Sequence, residues 1–446
     1  MPSDLLSIGR SGAQAARVAL DVTAQNIANA STEGYVRRTA RMAEVASSGG
    51  WMRIGDISLS GVRLDSVVRN ADLFRQSEVR RTGADAARSN TEVAGLENIE
   101  AAIEQANLYP AMVEFEGALQ RLVSDPVNPS LRAAVVEDAR TMVRTFNIAS
   151  SALSSVGDGL RFEATDAVTQ VNRLAEELGR VNLRLSRASD ASSDQTSLLD
   201  QRDTLLEQLS RHTDISTTIA ADQTVTVNIG SGASAVPLVV GGTASPLTMA
   251  TAGDGTISFM LGTVPATITG GGLAGRALAL NKVSEVRTRL DVVAATMAGT
   301  VNAAQAAGAA LDGSSGLPFF TGTTAATMTL ALTGGAQIAT APAGSGANSR
   351  NPGNLEALRN ALASSDPAGA LDGLIFEVSS TVRGRSITRD ALQAIADNAR
   401  IALSAQAGVS LDDEAVNLVR YQQAFQASGR VMQVAADLFD TLLGIR

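Results

Sequence analysis

Two narrow apolar stripes, one near each end of the chain, dominate its pattern of hydrophobic and polar positions. From Leu411, steps of four and three residues reach Ala415, Leu418, Gln422, Phe425, Gly429, Met432, Ala436, Phe439 and Leu443, and eight of these ten positions are apolar. That spacing predicts a helix packed lengthwise against another helix. Asp412, Asp413 and Glu414 fill its first turn, where carboxylates meet unpaired N–H groups and the positive end of the helix dipole, and Arg446 closes it with the opposite charge. At ~1.5 Å per residue such a helix is on the order of 50 Å long, and it cannot bury its own stripe. Leu5, Ile8, Gly12, Ala15, Ala19, Val22 and Asn26 repeat the spacing, with small residues that permit close approach. Asn26 and Asn29 extend that face as polar positions of the kind that fix register. Ser3 or Asp4 can cap the start, and Gly34 suits a left-handed stop. Spacing alone fits two amphipathic helices of one globular core equally well. Their positions at the two ends favour pairing of these helices as a coiled coil.

Between the stripes the texture changes twice. The segment after Tyr35 reads as extended and turn-rich as far as Val68, with glycines at 49, 50 and 55, and Trp51 as a buried anchor. Helical periodicity returns from Asp72 to Ala106, at Ala111–Val123 between prolines, and from Leu131 to Arg187, where Ala164, Ala167, Val171, Leu174, Leu178, Val181 and Leu185 form a heptad. A polar loop at 189–194 leads to a further helix carrying Leu198–Leu206, whose Asp200, Arg202 and Asp203 read as an ion network rather than as chemistry. From Thr213, alternation predicts strands at Thr224–Ile229, Val236–Val240, Ile257–Leu261 and Val264–Ile268, separated by glycines. Arg276–Ala310, Asn354–Leu362 and Leu371–Ala407 are helical again. The Gly/Ala/Pro-rich stretch up to Gly353 reads as a surface loop packed on the body. The expected fold class is mainly α with an all-β insertion: terminal helices paired as a coiled coil, a discontinuous helical-bundle body, and a small β domain projecting outward. In residues, that gives a terminal assembly domain (1–50 and 408–446), a helical body (51–212 and 276–407) and a β-rich outer domain (213–275).

Composition narrows the function classes. Aromatics are 3% against 45% hydrophobic residues, so packing rests on Ala, Leu and Val. A net charge of −9 argues against nucleic acid, which needs a basic stripe. The absence of cysteine removes disulfides and thiolate metal sites. No charged and apolar leader opens the sequence, and no run approaches the ~20 apolar residues of a spanning helix. Neither a cleaved signal nor membrane insertion is therefore expected.

Catalytic chemistry finds little support. Gly270-Gly271-Gly272-Leu273-Ala274-Gly275 spells G-x-G-x-x-G, but the required second parallel strand is missing and Asp291 falls inside a helix. His212 is the only histidine, at a helix end, and no G-x-S-x-G elbow accompanies it. No enzyme, cofactor or metal site is expected.

Three runs carry a family resemblance. Gln25-Asn26-Ile27-Ala28-Asn29-Ala30-Ser31-Thr32-Glu33-Gly34-Tyr35-Val36-Arg37 resembles the N-terminal signature of bacterial flagellar rod, hook and hook-associated proteins. Gly408–Glu414, Asn417-Leu418, Tyr421–Phe425 and Leu438–Leu442 resemble the C-terminal region of the same class, and Leu198–Leu206 narrows it to the hook–filament junction family of hook-associated protein 1. Pro318-Phe319-Phe320 also matches. The resemblance implies a structural subunit that polymerises laterally through its terminal coils into a ring of identical subunits. It implies the hook protein and the second junction protein as neighbours, and an export chaperone on the C-terminal helix. It also implies export through the flagellar channel to an extracellular site, with the end segments ordering on assembly. The assembly residues are then Leu5, Ile8, Ala15, Val22, Asn26, Asn29, Leu411, Leu418, Phe425, Met432, Phe439 and Leu443. Flagellin and the second junction protein share terminal coils but lack the Leu198–Leu206 run. A secreted membrane-active protein would want a basic polar face, against the acidic charge seen.

Overall fold

The computed structural model describes residues 2–32, 34–46, 59–188 and 193–444. Trp51, the glycines at 49, 50 and 55, residues 189–192 of the polar loop and Arg446 lie outside them. The fold is mainly α with a β insertion. Its helices are α1 (Pro2–Ala28), α2 (Leu73–Glu104), α3 (Leu108–Ser124), α4 (Pro129–Leu185), α5 (Ser193–His212), α6 (Gly271–Ala306), α7 (Gly353–Ser365), α8 (Pro367–Ala407) and α9 (Leu411–Gly444). The first nine strands are β1 (Arg38–Ala46), β2 (Leu59–Arg69), β3 (Ile215–Ile219), β4 (Val225–Ile229), β5 (Val236–Val240), β6 (Thr243–Ala244), β7 (Leu247–Thr251), β8 (Ile257–Leu261) and β9 (Val264–Ala266). Two ladders of two-residue strands follow, β10 (Gly308–Ala309) with β13 (Ala341–Pro342) and β11 (Phe320–Thr321) with β12 (Thr329–Leu330). The chain forms two compact units: residues 1–84, 171–246 and 393–446, and residues 85–170 and 247–392.

In the first unit, α1 packs along α9 and against the antiparallel β1–β2 ribbon. Gly61 makes the second contact feasible: its φ is +98°, and a Cβ there would stand 2.1 Å from Ser11 Oγ. The Ser11 hydroxyl accepts the Val62 N–H at 3.2 Å, tying ribbon to helix. A four-stranded sheet of order β3-β4-β5-β6 completes the unit. Val225, Val227 and Ile229 of β4 are buried and alternate with half-buried residues, the period of a strand with one face on a core. Asn182 of α4 anchors that sheet, donating to Val225 O and Gly241 O at 2.8 Å and accepting the Val225 N–H at 3.0 Å.

The second unit holds a continuous hydrophobic core from α2, α3, α4, α6, α7 and α8. Phe115 meets Phe319 and Phe320 edge-on, with ring centres 5.8 and 6.0 Å apart. The glycine run 270–275 opens α6. A Cβ at Gly275 would stand 2.2 Å from Arg88 O, so the run serves a close crossing with α2. The stretch up to Gly353 packs on this body through helix-borne polar side chains. Asn302 accepts the Phe319 and Phe320 N–H groups at 2.7 and 2.9 Å, and Gln305 accepts that of Ala339 at 3.1 Å. Arg132, 1% exposed, donates to Gly335 O, Ile338 O and the Thr340 hydroxyl at 3.0, 2.9 and 2.7 Å. Its charge is satisfied by neutral oxygens, and burial depresses its pKa.

The stretch 213–275, expected as one β-rich domain, contains two separate sheets. β3–β6 belong to the first unit, whereas β7-β8-β9 belong to the second. β3 and β7 were not foreseen: Ser216-Thr217-Thr218 and Thr248-Met249-Ala250 show no apolar–polar alternation. Both are fixed instead by hairpin partners in register, Ile215 with Ile229 and Leu247 with Leu261.

Candidate assembly interface

Small residues let α1 and α9 meet closely. A Cβ on Gly9 would come within 2.7 Å of Met432 Cγ, and one on Gly12 within 2.7 Å of Ser428 Oγ. On α1, Ala15, Val22 and Asn26 are buried, Ile8 and Asn29 are half-buried, and Leu5 is exposed. On α9, Leu418 and Met432 are half-buried, while Leu411, Phe425 and Phe439 remain exposed. The side chain of Leu443 lies outside the described residues.

The opposite face of α9 carries a second apolar row that spacing analysis passed over. Val416 is 69% exposed, and Val419, Val431, Val434 and Leu438 are exposed with it. Steps of three, four and multiples of them join these residues along one side of the helix. Among the described residues of α9, only Glu414 and Ala435 are buried.

Beneath the paired helices, the N-terminal signature, the Leu198–Leu206 run and the start of α9 converge on one polar node. Asn26, fully buried, donates to Arg38 O at 2.8 Å and accepts the Arg38 N–H at 3.0 Å and the Tyr35 hydroxyl at 2.8 Å. A side-chain amide thus stands in for a neighbouring strand and fixes where β1 begins. The Arg38 guanidinium sits 5.1 Å from the centre of the Tyr35 ring and reaches Asp200 at 2.9 Å. Arg69 bridges Asp200 and Asp203 at 2.7 and 2.9 Å, and Arg202 grips Asp203 at 2.8 Å. Burial would raise the Asp203 carboxyl, but Arg202 and Arg69 hold it below the ordinary range. Burial outweighs Arg38 at Tyr35 and raises its phenol. Gly34, at φ +78°, turns the signature past Thr204, whose Oγ1 would lie 2.3 Å from any Cβ there. Arg37 then donates its N–H to Ala407 O at 2.9 Å and its Nε to Glu414 at 2.7 Å.

The sequence singled out Asn26, Asp200, Arg202 and Asp203, and the structure brings all four together here. Glu414 lies in the first turn of α9 as expected, and it also pairs with Arg37. Sequence reasoning missed Arg38, Arg69 and Gln76, the last of which donates Nε2 to Asp203 at 3.0 Å. They stand at or near the ends of β1, β2 and α2, with flanking residues that give no signal. No group of three or more metal-ligating side chains occurs among the described residues, and none of their helices is long and apolar enough to cross a membrane.

Comparison with known proteins gives the family. Residues 93–320 match the flagellar hook-associated protein FlgK helical domain, residues 6–35 the flagella basal body rod protein family, and residues 404–445 the C-terminal region of flagellar basal body rod FlgEFG proteins. Flagellar hook-associated protein 1 of Escherichia coli is 26% identical over 336 residues, which cover 71% of this chain and 60% of that protein. The Bacillus subtilis protein of the same name is 28% identical over 218 residues, 47% of this chain and 43% of its own. The chain thus spans about 60% of the length of the enteric relative. Among solved structures, the flagellar hook junction protein FlgK of Burkholderia pseudomallei aligns with a TM-score of 0.46 at 22% identity, over 54% of this chain and 46% of its own. With its helical-domain match covering half of its residues, the chain belongs to the FlgK family of flagellar hook-associated proteins.

Proposed function

We propose that this protein is a structural, non-enzymatic subunit of the bacterial flagellum that joins hook to filament. It does so by lateral polymerisation of its terminal helices, paired as a coiled coil. The observation that carries this reading is the uncovered apolar row of α9, Val416, Val419, Val431, Val434 and Leu438, on a helix whose other side already meets α1. Each such side chain, once buried by a neighbour, contributes ~1.5–3 kcal/mol, so a ring of copies gains what one copy cannot.

In this reading residues 1–50 and 408–446 form the assembly domain, 51–212 and 276–407 the body, and 213–275, with its two separate sheets, the outward β-rich part. Its partners are further copies of itself, the hook protein on one side, the second junction protein on the other, and an export chaperone covering α9 before assembly. The chain works outside the cell after passage through the flagellar channel. Electron microscopy of cells lacking the gene tests the placement. Hooks of normal length without filaments are expected, and attached filaments would overturn it.

A further inference from the structure

The second unit leaves two rows with large apolar side chains uncovered, one on α4 and one on α8. On α4, Ile148 is exposed and Phe162 is 77% exposed, with Ser151, Ser155 and Gly159 between them on the same face. On α8, Phe376 is 73% exposed, and Ser380, Arg383, Ile387 and Ala391 continue its face. Both helices turn their other sides into the shared core, α4 through Leu153 and Leu160, α8 through Leu371, Leu374 and Val378. α6 gives the two rows a common scale. Val283 lies against Gly157 and Arg276 pairs with Glu163, so α4 runs opposite to α6. Thr300 meets Ser365 just before α8 begins, while Lys282 and Arg289 reach Glu377, so α8 runs opposite to α6 as well. The rows are therefore parallel. At ~1.5 Å per residue, Phe162 and Ile387 both come near the level of Arg276, and Ile148 and Phe376 lie about one to two turns apart in height.

A ring of more than two identical subunits cannot close through a patch that meets itself; each subunit must present two different surfaces that fit each other. The rows of α4 and α8 meet that requirement. One parallel register sets Arg144 against Asp372 and Ile148 against Phe376. The same register lays Ile387 over Gly159, where a Cβ would find nothing within 4 Å, and brings Phe162 beside Ala391. Arg144 and Asp372 are exposed, and among the described residues neither has an ion-pair partner within 4.0 Å. We propose that the α4 row of one copy packs on the α8 row of the next, with Arg144 of one on Asp372 of the other. Neighbouring bodies then meet side by side, as the terminal helices do. The inference rests on the assembly reading above.

The chain has no cysteine, so introduced thiols report contacts cleanly. Ser151 and Ser380 are exposed and come close to one another in the proposed register. In flagella from cells whose only copy carries Ser151→Cys with Ser380→Cys, oxidation should give a ladder of dimers and larger species on a non-reducing gel. Either cysteine alone should leave a monomer. Arg144→Asp should reduce the ladder at least tenfold, and adding Asp372→Arg should restore it. Flagella that keep their filaments but give no ladder, or a ladder indifferent to Arg144→Asp, overturn the contact between bodies while sparing assembly through α9. Attached filaments in cells lacking the gene would instead overturn the assembly reading itself.

Discussion

A single side-chain type sets many of the tolerances of this molecule: the carboxamide carried on a helix and turned onto the first residue of a strand. Asn26, Asn182 and Asn302 each both donate to and accept from such a residue, Arg38 of β1, Val225 of β4 and Phe320 of β11. Replacing Asn26 by Leu leaves the Arg38 N–H and carbonyl and the Tyr35 hydroxyl unpaired. A loss of about 3 kcal/mol is expected in urea unfolding, since each buried orphan costs ~1–3 kcal/mol. The sequence marked Asn26 because it lay on an apolar stripe, whereas Asn182 and Asn302 carried no such mark. A buried amide looks like any surface amide until its partner, distant in sequence, is known. Asp203 makes a second residue-scale prediction. Its carboxyl is depressed in the fold, so its stabilisation is complete above the unfolded carboxylate value of ~3.9 and is lost as pH falls through the lower folded value. Asp203→Asn should therefore lower stability at pH 7 by about 3 kcal/mol. It should also flatten the acid limb of the stability profile below about pH 4. An unchanged acid limb would show that other carboxylates govern it.

At the scale of elements, one turn is used three times. Ala220–Thr224, Ala252–Thr256 and Ala310–Ser314 share the pattern Ala-x-Asp-x-Thr/Ser. In each, the fourth residue has positive φ and donates its N–H to the alanine carbonyl at 3.0 Å. In each, too, the aspartate accepts from the fifth residue, at 2.7, 2.7 and 2.6 Å from its hydroxyl. Gly255 and Gly313 suit that conformation, but the first copy has Gln223 at φ +64°. A side chain there costs roughly 1–2 kcal/mol, partly offset by the greater freedom of glycine when unfolded. Gln223→Gly is expected to stabilise the protein by about 0.5–1 kcal/mol, read as a raised melting temperature. The long helices and the strands β4, β5 and β8 were legible because their periodicity is local. The division of the β stretch into two sheets was not, because it depends on which distant segments cover each hairpin. The G-x-G-x-x-G run shows the same limit from the other side: its glycines answer to the Arg88 backbone packed against them.

At the scale of the whole molecule, the distribution of exposed apolar surface matters most. The second unit has a closed core, whereas α9 leaves its outer row open to solvent. Both stripes were visible in the sequence, yet seam spacing could not say which side of α9 would meet α1. Small residues at Gly9, Gly12 and Ser428 decided that, and they left the larger side chains outward. In dilute solution the amides of α1 and α9 should exchange faster than those of α3 and α6, because much of the burial that would hold them awaits a neighbour. Equal protection in all four helices would indicate terminal helices stable without assembly. The most direct test places a charge on each half of the row, as Val419→Glu with Val434→Glu, and images flagella of cells carrying only that chain by electron microscopy. The expected result is bare hooks, with the variant exported in normal amounts and melting at the parent temperature. Filaments attached at normal frequency would contradict assembly through the outer face of α9.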